Sequence, residues 1–178
     1  MEGAAMPAVI SPDQDAINAE VEINAPPDRV FQALIDSAQA RTWGSTEHFE
    51  TTVWVLEPRI GGKWKFVAKD CGTGKVYTHY GEVLEFDPPR VLEHTWMADF
   101  HEQPSRPTIV RWELSAFGSG TRLKVTHRGF ADQPKVRKDY QSGWPGLLEA
   151  IRKYCESVHG KARTVEYGGN FNRKAPRN

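Results

Sequence analysis

The stretch that decides the fold is GWPGLLEAIRKYCESV, residues 143–158. Its apolar side chains recur at intervals of three and four residues, as they do on one face of an α-helix. They are Trp144, Leu147, Leu148, Ile151, Tyr154, Cys155 and Val158. Polar side chains, including Glu149, Arg152 and Lys153, occupy the other face. The spacing therefore predicts an amphipathic helix that needs an apolar surface to cover.

The chain before this helix is dominated by patterns that are typical of β-strands. Alternating apolar and polar residues predict a half-buried strand at 17–24. Further strands are predicted at 50–57, 63–69, 76–86, 91–97, 108–116 and 121–128, with a bulge near Gly81 in the longest of them. Their connections are too short for crossovers, so we expect a meander of antiparallel strands. Strands that are segregated from helices along the chain indicate the α+β class.

Two short helices are predicted after the first strand. The pair Pro26-Pro27 ends that strand and suits the first turn of a helix. Asp36 or Ser37 can cap a second short helix. Pro145 lies inside the C-terminal helical pattern, where a proline removes one backbone hydrogen bond. We therefore expect the helix over 134–158 to be kinked or broken at that point.

One domain with a tail at each end is the organisation that length and composition favour. A chain of 178 residues can bury a core without a disulfide or a metal to hold it. Residues 1–15 have no periodicity and are expected to be disordered, while 16–158 form the domain. The tail at 159–178 is basic and rich in Gly and Asn, and we expect it to be flexible.

Charge and cysteine content argue against several classes of function. Lys plus Arg and Asp plus Glu both number 23, so no net field attracts nucleic acid. No apolar run approaches the ~20 residues of a membrane span. The six histidines lack metal-binding spacing and the two cysteines are far apart, so we expect neither metal nor cofactor. Two unpaired cysteines fit a cytoplasmic protein, in which thiols stay reduced.

Five ordered segments resemble the bacterial relatives of the activator of Hsp90 ATPase, the AHSA1-like family. They are NAPPDRVFQAL at 24–34, PRIGGKW at 58–64, GEVLEFDPPRVL at 81–92, GTRLKVTH at 120–127 and GW at 143–144. The resemblance covers about residues 17–158 and implies the helix-grip (START/Bet v 1-like) fold of the SRPBCC superfamily. In that fold a curved antiparallel sheet wraps around a long C-terminal helix and leaves a cavity. The superfamily contains ligand carriers, polyketide cyclases and cochaperones, so the fold alone does not determine the function.

Strand parity predicts which side chains face this cavity. The expected lining is bulky and mostly aromatic, with two histidines in it. The candidate ligand-binding residues are Trp64, Phe66, His94, Trp96, Trp112, His127, Trp144 and Leu148. The alternative is that these residues pack against one another as an ordinary core. We expect Trp144, Leu148 and Ile151 to form the ceiling, and a kink at Pro145 to loosen the helix where a ligand could pass.

His94 and His127 are the polar groups that stand out in this set. Each is either a neutral buried histidine with one hydrogen-bond partner, or a ligand anchor or acid–base group, since an unperturbed histidine titrates near pH ~6.5. Tyr77, His79 and Glu82 lie on a strand whose facing cannot be assigned across Gly81. Any of these three could also line the cavity.

Three functions are compatible with these features. The first is a small-molecule binding protein for an apolar or aromatic ligand, which we favour. The second is a cyclase- or hydrolase-type enzyme that uses His94 or His127, although no complete catalytic set is present. The third is a cochaperone with an Hsp90-type partner, which the resemblance suggests. The ligand's identity and the oligomeric state do not follow from the sequence.

Overall fold

The computed structural model describes residues 5–157. Its elements are β1 (Val9–Ile10), β2 (Ala16–Ile23), α1 (Pro27–Ile35), α2 (Ser37–Trp43), β3 (Phe49–Leu56), β4 (Lys63–Asp70), β5 (Val76–Asp87), β6 (Val91–Ala98), β7 (Thr108–Phe117), β8 (Gly120–Arg128) and α3 (Pro134–Glu156). The eight strands of this part of the chain form one antiparallel sheet in the order β1-β2-β8-β7-β6-β5-β4-β3. The predicted α+β class and helix-grip fold are confirmed.

Helix α3 covers the inner face of the sheet, as its amphipathic pattern predicts. Its buried residues include Trp144, Leu148, Ile151 and Cys155, which are spaced by three or four positions. The helix approaches β2 most closely and also packs against α1 and α2. Within residues 5–157, no helix is both long and apolar enough to cross a bilayer.

Pro145 lies inside α3 without interrupting it. Of the two predicted outcomes, the break near this proline is therefore wrong, because the helix runs unbroken from Pro134 to Glu156. A proline in a helix removes its own N–H bond to the carbonyl four residues earlier, here Gln141, and its ring crowds that carbonyl. The buried side chains of Trp144 and Leu148 on either side hold the turn against the sheet.

The segment before β2 differs from the disorder expected for residues 1–15. Val9 pairs with Asn18 and Ile10 pairs with Ile17, so β1 extends the sheet by one short strand. A strand of two residues is too short to show an alternating pattern in the sequence. It forms because its backbone makes hydrogen bonds with β2. Residues 1–4 and 158–178, including the predicted C-terminal tail, lie outside the described residues.

The long strand β5 carries its irregularity later than predicted. Its register with β6 shifts between Val83 and Glu85 rather than at Gly81. Gly81 instead provides space for Trp64, which lies opposite it on β4 and donates its Nε1–H to the Thr95 carbonyl at 2.7 Å. A Cβ at Gly81 would lie 2.0 Å from that carbonyl oxygen and 2.4 Å from Nε1 of Trp64. Glycine is required here so that an indole can cross the strand.

The first prediction concerns this glycine. Gly81→Ala should lower the free energy of unfolding by about 1–3 kcal/mol, because the added methyl group would overlap backbone and indole atoms. Urea unfolding at pH 7 measures the change. Gly72→Ala is the control: its Cβ would meet only Asp70 Oδ1 at 3.4 Å, and we expect a change within about 0.5 kcal/mol. Equal effects of the two substitutions would contradict the assignment.

Candidate functional site

A cavity of about 480 Å³ lies between α3 and the sheet edge formed by β3, β4 and β5. The end of α2 and the loop after β6 complete its walls. Its volume falls within the ~300–1,000 Å³ that small-molecule sites usually have. The cavity arises because α3 lies closest to β2, at the other side of the sheet, and stands away from this edge.

The sheet wall of the cavity is built from paired residues on two strands. Phe66 and Ala68 on β4 lie opposite His79 and Tyr77 on β5, and all four line the cavity. The rings of Phe66 and His79 stack with their centroids 4.9 Å apart and their planes at 16°. The register shift in β5 comes only after Val83, so Tyr77 and His79 point to the same face of the sheet.

The helix wall is a second stripe of α3. It consists of Gly143, Gly146, Leu147 and Ala150, which have the same three- and four-residue spacing as the buried stripe but are offset from it by one position. A Cβ at Gly143 or Gly146 would meet no atom within 4 Å. At these two positions the helix presents only backbone to the cavity, and the glycines widen it.

Partly exposed rings surround the mouth of the cavity. Phe49 is 39% exposed and Phe100 is 37% exposed. Tyr77 lies between them and makes edge contacts with both, at centroid distances of 6.2 Å to Phe49 and 5.9 Å to Phe100. Large apolar side chains usually avoid such exposure when they can pack, so this rim is suited to contact with an apolar molecule.

Of the predicted site residues, Phe66 lines this cavity. The structure brings the other candidates together as tightly buried neighbours on the core side of the cavity wall. They are Trp64, His94, Trp96, Trp112, His127, Trp144 and Leu148, each at most 3% exposed. Trp144, Leu148 and Ile151 do not form the ceiling of the cavity, as we predicted, but are buried in the core. The residues that face the cavity are their neighbours along the helix.

His127 has protein partners on both ring nitrogens. Thr108 Oγ1 donates to the Trp96 carbonyl at 2.8 Å, so it accepts from His127 Nε2–H at 2.7 Å. Trp144 Nε1–H donates to the remaining nitrogen, Nδ1, at 3.3 Å. Burial, together with the nearby His101, holds the pKa of His127 well below its usual value. These bonds describe a neutral structural imidazole that joins β7, β8 and α3.

His94 is satisfied in a similar way. Its Nδ1–H donates to the Thr95 carbonyl at 3.2 Å, and its Nε2 accepts from Trp112 Nε1–H at 3.1 Å. Burial lowers the pKa of His94 to about 4. Neither His94 nor His127 therefore has a free ring nitrogen with which to hold or protonate a ligand.

His79 is the histidine that does line the cavity. It is 6% exposed, and its Nδ1 is almost completely buried. Burial lowers its pKa to about 4, as does the neighbouring His101, while the Phe66 backbone and Asp99 act in the opposite direction. The imidazole is thus neutral at pH 7 and can act as a hydrogen-bonding group.

Tyr140 connects the cavity wall to the core. Its hydroxyl accepts from Trp96 Nε1–H at 2.9 Å and lies 2.8 Å from Nε2 of His101. Burial raises the pKa of the Tyr140 phenol above its ordinary value, so it stays protonated. In the part of the chain that is described, no three His, Cys, Asp or Glu side chains converge as a metal site would require.

Two sequence signals pointed to this cavity and were misread. Gly143 and Gly146 lie three positions apart on one face of the helix, and each lowers the stability of the helix. Two such residues on one face indicate that the space beside them serves another purpose. We interpreted Pro145, which lies between them, as a point of kinking or breakage, although α3 runs unbroken past it. His79 shares the parity of Tyr77, but a bulge assumed at Gly81 concealed which way the strand faces.

The sequence profile of the family described as "Activator of Hsp90 ATPase homolog 1-like protein" matches residues 24–156. This chain belongs to the AHSA1 family. The match covers most of the described chain and includes the five segments on which the resemblance rested. No protein of curated function matches the chain significantly.

Solved structures share the fold of this AHSA1 protein. A protein from Chromobacterium violaceum is 23% identical with a TM-score of 0.71, and the alignment covers 80% of this chain and 98% of that one. The AHSA1-like protein from Aeromonas hydrophila is 18% identical with a TM-score of 0.66, over 85% of this chain and 99% of the other. CalU16 from Micromonospora echinospora is 22% identical with a TM-score of 0.56, over 87% and 85%. At these identities the likeness establishes the fold alone.

The second prediction follows from the buried histidines. His79 and His94 have folded-state pKa values of about 4, below the ~6.5 of an unfolded histidine. The unfolded state therefore binds protons first, and stability is lost as the pH falls from about 6.5 to about 4. In His79→Phe the loss between pH 7 and pH 5 should be smaller by about 2 kcal/mol.

Urea unfolding at the two pH values measures this difference. His48→Gln is the matched control: it removes an ion pair with Glu47 between two side chains that are 78% and 85% exposed, so it should change the pH dependence by less than about 1 kcal/mol. An unchanged pH dependence in His79→Phe would mean that His79 is charged, or solvated, in the folded protein.

Proposed function

We propose that this protein binds a small apolar or aromatic molecule in the cavity between α3 and the β3–β5 edge. The observation that carries the proposal is the lining: a volume of about 480 Å³ walled by six aromatic rings, by Leu147 and Ala150, and by helix backbone at Gly143 and Gly146. These rings belong to Trp43, Phe49, Phe66, Tyr77, Phe100 and Tyr140. Transfer of apolar surface from water into such a space is favourable by roughly 25 cal/mol per Å².

The chemistry of the walls supports an apolar ligand rather than a charged one. Among the described residues, no Asp, Glu, Lys or Arg lines the cavity. An ion in these surroundings would lose its hydration without a partner, which is strongly unfavourable. The walls also contain uncharged polar side chains, such as Thr46 and His79.

A catalytic step is not part of the proposal. His94 and His127, the residues considered for acid–base work, have both ring nitrogens engaged by the protein. Their lowered pKa values keep them neutral at pH 7. These contacts favour a role in holding the fold.

The third prediction tests binding by filling the cavity. N-phenyl-1-naphthylamine, a neutral dye whose fluorescence rises in apolar surroundings, should bind the wild-type protein saturably. Gly146→Leu should weaken binding more than tenfold, because the new side chain extends into open space within the cavity. Gly146→Ala should instead raise the free energy of unfolding by about 0.5–1 kcal/mol, because alanine favours the helix.

Lys153→Leu is the matched control for the leucine substitution. It adds the same side chain to α3 at a position that is 71% exposed and outside the cavity lining, so dye binding should be unchanged. If the wild type does not bind the dye, or if Gly146→Leu binds it as tightly as Lys153→Leu does, the proposed function is wrong.

A further inference from the structure

We propose that the loop between β6 and β7, residues 99–107, is a lid that closes one end of the cavity and opens to let a ligand pass. Phe100 is the side chain that closes the cavity, and contacts made by Glu102 and Asp132 hold the loop in place. This inference rests on the proposed function, because it concerns how a ligand reaches the same cavity.

Phe100 lies across the gap between the sheet wall and the helix wall. On the sheet side, its ring centroid is 5.9 Å from that of Tyr77 and 5.4 Å from that of His79. On the helix side, it is 6.2 Å from the ring centroid of Tyr140. All four residues line the cavity, but Phe100 is carried by the loop while the others belong to β5 and α3. A displacement of the loop would therefore separate the two walls at this end and open the cavity.

The backbone of the loop is weakly connected to the elements around it. The ladder between β6 and β7 ends with the pair of Trp96 and Thr108. Within residues 5–157, the backbone–backbone hydrogen bonds that residues 99–107 donate only join residues three positions apart in local turns. Segments with few such bonds open at lower cost than paired strands do, and lids over binding sites are segments of this kind.

Glu102 attaches the loop to the start of α3. Its Oε2 accepts from the backbone N–H of Lys135 at 3.2 Å and from that of Val136 at 3.5 Å. Gln133, the N-cap residue of α3, makes no capping bond with its own side chain. The loop therefore supplies the cap, and a carboxylate is favoured there because the first turn of a helix has unpaired N–H groups and a partial positive charge.

Asp132 forms a second attachment just before α3. It pairs with Arg106 and accepts from Gln103 Nε2–H at 2.9 Å. The side chains of Arg106 and Asp132 are 42% and 46% exposed, and ion pairs at such exposure contribute little to stability. The attachments made by Glu102 and Asp132 thus favour the closed position and can be broken without unfolding the domain.

His101 completes the closed position on the inner side of the loop. Its Nε2 lies 2.8 Å from the hydroxyl of Tyr140. When the loop moves away, both groups can bond to water instead, so this contact adds only a modest preference for closure.

The exchange kinetics of N-phenyl-1-naphthylamine, measured by stopped-flow fluorescence, test the lid. If the dye passes only when the lid is open, the association and dissociation rate constants both rise with the open fraction while Kd stays the same. Glu102→Gln and Asp132→Asn should each raise both rate constants about two- to fivefold. Neither residue lines the cavity, so Kd should change less than about twofold.

Glu22→Gln is the matched control for these substitutions. It removes an ion pair with Arg122 whose side chains are 46% and 41% exposed, but this pair lies on β2 and β8, outside the cavity lining. Both rate constants should therefore be unchanged. Raising NaCl from about 0.05 M to about 0.5 M should speed exchange of the neutral dye in the wild type, because salt screens the two attachments. It should do so much less in the double variant Glu102→Gln/Asp132→Asn.

Phe100→Ala tests the blocking ring itself. It should raise the association rate constant more than fivefold, because the bridge between the two walls is lost. Phe49→Ala is the control, since Phe49 is a cavity-lining ring of similar exposure, 39% against 37%, that belongs to β3 rather than to the loop. It should change the association rate constant less than twofold.

The outcomes separate the lid from the proposed function. If the wild type does not bind the dye, the proposed function fails. If the dye binds but Phe100→Ala, Glu102→Gln and Asp132→Asn all exchange it at the wild-type rate, the cavity binds ligands and the loop is not its lid. The lid is also wrong if the two charge substitutions alter Kd while the association rate constant stays the same.

Discussion

The hydrogen bond from Trp96 Nε1–H to the Tyr140 hydroxyl, 2.9 Å long, ties the middle of the sheet to the long helix. The Trp96 indole is buried, so a break would leave its Nε1–H without a partner. The ring centroids of Trp64 and Trp144, which belong to the packed core, lie 4.7 and 5.8 Å from the indole. The ring centroid of His79, which belongs to the cavity wall, lies 5.3 Å from it. This bond therefore sets the separation between α3 and β6 at the boundary between core and cavity.

That boundary divides α3 into two stripes with opposite tasks. The stripe of Trp144, Leu148, Ile151 and Cys155 is buried and stabilises the domain, at about 1.5–3 kcal/mol for each large side chain. The adjacent stripe, which includes Gly143 and Gly146, leaves space. Each glycine costs about 1 kcal/mol of helix stability relative to alanine, and Pro145 removes a further backbone hydrogen bond. The packed stripe offsets this loss, so the same helix can be both anchored and open.

The buried histidines divide in the same way. His94 and His127 use both ring nitrogens to join strands and helix, and their surroundings keep them neutral. His79 also contacts Trp96, at a centroid distance of 5.3 Å, and is kept neutral by burial, but it lines the cavity. Burial therefore keeps all three imidazoles uncharged, so they contribute polar groups to this region without adding charge. A cavity beside such a core favours ligands that are themselves uncharged.

The sequence by itself determined the fold class, the antiparallel meander from β3 to β8 and the amphipathic nature of α3, because period-2 and period-3.6 patterns depend on local geometry. It also carried enough of the AHSA1 segments to indicate the family. It did not decide which aromatic side chains pack and which line a cavity. Phe66 and Trp64 lie two positions apart on one strand and share a face, yet only Phe66 borders the space. Parity assigns a face of the sheet, but the distance from that face to α3 varies across it. Only the tertiary structure, in which α3 lies close to β2 and away from β3–β5, decided that Gly143, Gly146 and His79 surround the cavity.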